Sequence, residues 1–110
     1  MLKQSERLSR PLITELLKKG RRHTDALFDA RYLPADAFQA TVVVSKKVAP
    51  LSVSRHLLKR RMNAALRGQK TLLGKIHIAC ILKKTTNPPS TAEYTNALTE
   101  FIRKMHSKSV

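Results

Sequence analysis

Apolar residues along the 110-residue chain change their spacing several times, and each change marks a new element. Leu12, Ile13, Leu16 and Leu17 recur at helical spacing. Pro11 suits a first helical turn and Gly20 a C-terminal cap, so a helix is predicted over about residues 9–19. Over residues 26–33 the pattern shifts to strand-like alternation. Phe28, Ala30 and Tyr32 fall on one face, and Leu27, Asp29, Arg31 and Leu33 on the other. Pro34-Ala35-Asp36-Ala37 reads as a turn. Residues 38–45 carry Thr41-Val42-Val43-Val44, a β-branched run expected of a buried strand. A short strand over residues 22–25 has the weakest pattern of all.

Lys46-Lys47-Val48-Ala49-Pro50 interrupts the strand pattern. A second helix is predicted over residues 53–67, capped by Ser52 or Ser54 and closed by Gly68. Leu58, Met62, Ala65 and Leu66 are its core stripe. Ile76–Leu82 is a further apolar strand, and Pro88 and Pro89 keep the following segment a loop. Ser90-Thr91-Ala92-Glu93 is a capping box opening a final helix with Tyr94, Leu98, Phe101, Ile102 and Met105 on one stripe. No repeat or low-complexity segment interrupts this series. Helix and strand patterns alternate, so one mixed α/β domain over residues 1–110 is expected, frayed at about residues 1–6 and 107–110.

Composition narrows the core. Hydrophobic residues make up 42% of the chain and aromatics 5%, with no Trp, so Leu, Ile, Val and Ala must fill most of the interior. The lone cysteine, Cys80, has no internal disulfide partner and fits a reducing compartment. The N-terminal residues show no apolar signal region, and no apolar run approaches the roughly 20 residues that span a bilayer. A soluble cytoplasmic protein is expected.

Charge changes the picture most. Twenty-two Lys and Arg stand against seven Asp and Glu, a formal net charge of +15. Such a domain repels itself and seeks a polyanion: nucleic acid, an anionic membrane or an acidic protein. The cations are spread through the predicted elements rather than gathered in a tail, which favours a basic face made for phosphates. Between residues 38 and 91 there is no Asp or Glu, whereas a merely solvated face mixes signs. In that stretch Lys46 and Lys47 precede a helix on which Arg55 and Lys59 are i, i+4 neighbours. Arg60 and Arg67 share an adjoining face.

Here the sequence resembles the ribonuclease P protein family. Val44-Ser45-Lys46-Lys47-Val48 is similar to that family's strand end, and Arg55, Lys59 and Arg60 match three positions of its Arg-Asn-Arg-x-Lys-Arg helix. Leu16-Leu17-Lys18-Lys19-Gly20-Arg21-Arg22, Phe28 with Arg31-Tyr32-Leu33-Pro34, and the Ile76–Leu82 strand follow in the family's order, so the likeness covers roughly residues 7–105. The chain departs from the motif at His56 and Leu57 and has one extra residue between Val48 and Arg55. Its first helix carries Ile13 and Leu17 where aromatics are often found.

The resemblance implies an α/β (α+β) two-layer sandwich in αβββαβα order. It would hold a mixed sheet of about four strands, three helices and a left-handed crossover, like the second domain of ribosomal protein S5. It implies an endoribonuclease subunit that assists a catalytic RNA in removing the 5′ leader of precursor tRNA. Lys46, Lys47, Arg55, Lys59, Arg60, Arg61 and Arg67 would meet the RNA subunit. Ile13, Leu17, Phe28, Arg31, Arg55 and Lys59 would line or border the leader cleft. Core packing is an equal reading of Phe28 and Tyr32. The partners implied are ribonuclease P RNA and precursor tRNA, with no obligate protein partner. Mg²⁺ would be held by the RNA, leaving no cofactor, metal or catalytic residue to the protein itself.

The residues taken alone offer no competing active site. His23 and Asp25 lack a third reactive partner and read as a polar surface cluster. His77 and Cys80 are three apart on a strand and point to opposite faces, which does not suit one metal. Three glycines are too few for a phosphate-cradling loop. Two other readings remain: a ribosomal or other structured-RNA-binding protein with no role in nuclease activity, and a DNA-binding module using the helix after Pro50. The strand-rich context argues against the second.

Overall fold

The computed structural model describes residues 4–108, so the fraying expected at residues 1–3 and 109–110 lies outside the described residues. Nearer the middle of the chain, Gln4–Glu6 forms a 3₁₀ turn with Glu6 buried, and the last helix runs on to Lys108. Four strands, β1 (Arg21–Thr24), β2 (Phe28–Pro34), β3 (Gln39–Val43) and β4 (Ile76–Leu82), form one sheet in the order β1-β2-β4-β3. The β1/β2 and β2/β4 pairs are antiparallel, and β3/β4 is parallel. Asp25 closes the β1–β2 hairpin: its Oδ1 accepts the N–H groups of Leu27 at 2.7 Å and Phe28 at 3.0 Å. Parallel neighbours cannot be joined by a tight turn. The β3–β4 connection crosses over through α2 (Ser52–Gly68) and a single-turn helix, α3 (Lys70–Leu73).

Register divides the sheet into two faces. Phe28, Ala30, Tyr32, Ala40, Ile76, Ile78, Cys80 and Leu82 point one way. There they meet Leu58, Met62, Ala65 and Leu66 of α2 and Tyr94, Leu98, Phe101 and Ile102 of α4 (Thr91–Lys108). Both predicted helical stripes are therefore core, and burying each large apolar side chain stabilises by about 1.5–3 kcal/mol. Met105 is only partly buried against this cluster. The expected two-layer sandwich is this sheet with α2 and α4. The first helix, α1 (Arg10–Lys19), adds a partial layer on the opposite face, where Leu12, Ile13 and Leu16 pack on Leu33 and Ala79.

The capping box forms as expected: Ser90 Oγ accepts the Glu93 N–H at 3.2 Å, and Glu93 Oε1 accepts the Ser90 N–H at 3.3 Å. Neither Ser52 nor Ser54 caps α2. The helix starts earlier than expected, so both serines lie inside its first turn and Leu51 holds the cap position with no side-chain bond. Helix α3 was not expected, because four residues give no readable period. It buries Leu73 and ends at Gly74, whose φ of 72° and ψ of −151° suit glycine alone. His23 is not a surface group: its ring packs against Phe28 and Phe101, with centroids 5.7 and 4.9 Å away, while it bonds Asp25 at 3.1 Å.

Candidate nucleic-acid interface

Helix α1 covers only part of its face of the sheet. It runs from the start of β3, where the Leu8 N–H bonds the Ala40 carbonyl, to the end beside β1, where Gly20 abuts Arg31. A β-carbon on Gly20 would sit 2.4 Å from the Leu16 carbonyl oxygen and 3.3 Å from Arg31 Cβ, so only glycine lets α1 seat this closely. Leu12, Glu15 and Leu16 lean over Leu33, Pro34 and His77 on one side of the helix. Ile13 and Leu17 lie on its other side, above the uncovered half of the face. By register that half presents Thr41 and Val43 of β3, Ile81 of β4, Asp29 and Arg31 of β2, and Arg22 and Thr24 of β1. Leu17 remains 47% exposed and Val43 40%, so this surface is open rather than core.

Cations border the open face. The exposed Lys46 and Lys47 lie in the turn after β3, which is braced twice. The Ser45 carbonyl accepts the N–H groups of Val48 and Ala49, both at 3.1 Å. Arg55 Nη1 donates to the carbonyls of Ala49 at 3.0 Å and Pro50 at 2.9 Å. Arg55 is thus half-buried and uses one nitrogen to hold the loop, leaving the rest of its guanidinium for a ligand. Lys59 faces the β3 edge, where it shares a depression of about 290 Å³ with Arg7, Thr41 and Asn63. Arg60 and Arg67 are exposed and, by helical phase, point away from the sheet. Among the described residues none of these cations is ion-paired. Three buried polar atoms lack hydrogen-bond partners among the described residues at this same surface: Asp29 Oδ1, Arg31 Nε and Asn63 Oδ1.

Two expected site residues lie elsewhere. Phe28 is 0% exposed on the opposite face, in the core shared with α2 and α4, and cannot stack on a base. The alternation that put it on one face with Ala30 and Tyr32 was right, and that face is the core. Arg61 sits on the far flank of α2 from Lys59, where Nη1 donates to the Pro89 carbonyl at 2.8 Å. It ties α2 to the loop before α4 rather than joining the outer basic face. Sequence reasoning missed Val43, Thr41, Ile81, Arg7 and Asn63, whose shared surface exists only once the strand order is known. His77 and Cys80 do point to opposite faces, and Cys80 is buried, with burial and then the Asp25 charge pushing its thiol well above the ordinary range. Among the described residues no cluster of three metal-ligating side chains occurs. Among them also, no helix is long and apolar enough to cross a membrane.

The fold is shared with solved ribonuclease P proteins. A Staphylococcus aureus ribonuclease P protein superposes with a TM-score of 0.76 at 22% identity, over 92% of this chain and 94% of that one. A mutant of the S. aureus protein gives 0.79 at 21% identity, over 94% and 90%. The Thermotoga maritima ribonuclease P protein gives 0.77 at 19% identity, over 90% and 96%. Identities this low speak to fold alone. No curated protein matches the chain by sequence. The family model for ribonuclease P matches residues 2–106, nearly the whole chain. With that match, on a basic sheet-and-helix surface of the kind just described, the chain belongs to the ribonuclease P protein family, the protein subunits that work with ribonuclease P RNA in that endoribonuclease.

Proposed function

We propose that the uncovered half of the α1 face takes the single-stranded 5′ leader of precursor tRNA, while the Lys46-Lys47 turn and the outer face of α2 take the RNA subunit. The observation that carries this reading is the open, partly apolar floor of Val43 and Ile81, walled by Ile13 and Leu17 and bordered by Lys46, Lys47 and Lys59, none of them ion-paired among the described residues. An apolar floor with flanking cations suits a single strand, whose bases need a surface and whose phosphates need charge. All five Phe and Tyr side chains are buried, so base contacts here are aliphatic. Leader affinity therefore rests mainly on phosphates, and it is salt-sensitive and tolerant of leader sequence.

In this reading the RNA holds the Mg²⁺ that activates water for phosphodiester cleavage. The protein screens repulsion between the two RNAs and fixes the leader, so less Mg²⁺ is needed for the same rate. The single buried Cys80 supports a reducing, cytoplasmic setting. Processing of precursor tRNA by the cognate RNA at limiting Mg²⁺, with and without the protein, tests the reading. Stimulation is expected for substrates with a leader. No stimulation at any protein concentration would exclude it.

A further inference from the structure

We infer that Arg22 joins its cross-strand partner Arg31, already placed at the cleft border, in a phosphate clamp for the RNA backbone at the β1 side of the open face. The inference rests on the leader-binding reading and extends it to a strand outside the cleft's apolar floor. Arg22 and Arg31 are direct cross-strand partners in the β1/β2 register, with both side chains on the α1 face. Like charges set opposite one another destabilise a sheet, so such a pair calls for an anion. The protein supplies one carboxylate nearby, Asp29, and it is already shared: Lys83 Nζ lies 3.5 Å from its Oδ1. With Lys83 already on that acid, the two arginines of the same face outnumber the carboxylate available to them. Arg31 Nε is buried without a hydrogen-bond partner among the described residues, and Arg22 is exposed.

The clamp's geometry selects its ligand. Gly20 brings the end of α1 against Arg31 Cβ, which fixes the stem of that side chain, while Arg22 on the edge strand is free to close. Planar guanidiniums recognise phosphate oxygens in pairs, and neither needs to read a base. A strand that follows the floor from β3 across β4 and β2 reaches this pair last. Arg22 should therefore matter only to RNA long enough to cross the whole face.

The test uses the assembled holoenzyme and precursor tRNAs whose leaders are shortened from the 5′ end one nucleotide at a time. Wild-type affinity is expected to rise with leader length and then level off. Arg22→Ala is expected to remove the last part of that rise, weakening the longest leaders about tenfold. It is also expected to reduce the slope of log affinity against log salt by about 0.7, the value of one single-strand phosphate. Arg22→Lys should restore the salt slope but only part of the affinity, because a point charge cannot grip two phosphate oxygens at once. Short leaders, mature tRNA and affinity for the RNA subunit should be unchanged. If the wild type shows no dependence on leader length, the leader reading fails and the clamp with it. If the wild type shows the dependence and Arg22→Ala keeps it in full, or loses affinity equally at every length, the clamp alone is overturned.

Discussion

Arg61 Nη1 donates to the Pro89 carbonyl at 2.8 Å, so one arginine of the basic helix is a strut between α2 and the loop before α4. Its neighbour Arg60 is exposed on the outer face. Arg61→Ala is expected to lower stability by about 1 kcal/mol through the lost, partly buried hydrogen bond and to leave the salt dependence of RNA-subunit binding intact. Arg60→Ala is expected to do the reverse, with unchanged stability and about one phosphate contact fewer. Denaturant melts paired with binding isotherms at several salt concentrations separate the two. Equal behaviour of the variants would refute the division of labour along α2.

Phe28 should act on stability and not on the leader. It is fully buried in the core shared with α2 and α4, and Phe28→Ala is expected to cost about 3–5 kcal/mol. Milder substitution by Leu should keep leader affinity at the wild-type level in conditions where the variant is folded. A Phe28→Leu protein with native stability and lost leader binding would contradict its placement.

Acid should weaken the fold partly through Asp29. Burial opposes ionisation there, but the Thr24 hydroxyl, Lys83 and Arg22 outweigh it and hold the carboxyl below its usual range. The unfolded chain takes up this proton near pH ~3.9 and the folded chain only at lower pH. Asp29 thus contributes fully above the unfolded value, and that contribution fades as pH falls through the folded one. Asp29→Asn should flatten the decline in unfolding free energy between about pH 5 and about pH 2. An unaltered pH slope in urea titrations would show that the surrounding cations do not stabilise the carboxylate.

Gly74 carries the turn from α3 into β4 at a positive φ, and no atom lies within 4 Å of where a β-carbon would stand. The effect of Gly74→Ala is therefore backbone strain alone, about 1–3 kcal/mol. Gly68→Ala, with equally open space inside α2, should be neutral or slightly stabilising. A thermal melt in which both alanines behave alike would place the strain elsewhere.

Periodic elements were legible. Leu58, Met62, Ala65 and Leu66 announced the buried face of α2, and the Ser90 and Glu93 pair announced the start of α4. Strand β1 was nearly invisible, because Arg21-Arg22-His23-Thr24 has no apolar alternation and is held by backbone pairing with β2. The site was legible as charge but not as shape. Arg60 and Lys59 declare themselves by an unbalanced sign, whereas Val43 and Ile81 become neighbours only because β3 lies beside β4 and not beside β2. Phe28 shows the hazard of carrying a role over by position: its own alternation with Ala30 and Tyr32 described the residue better than the motif did.

The crossover through α2 joins two strands that are parallel neighbours, so the β3/β4 pair cannot zip until that long connection is in place. The same connection carries Arg55, Lys59, Arg60, Arg61 and Arg67 with no carboxylate among them. Closing the sheet therefore gathers like charges at the slow step of folding, where a polyanion offsets the repulsion. A chain that meets its RNA early would have this repulsion offset as the sheet closes, which would couple folding of the subunit to assembly with the RNA.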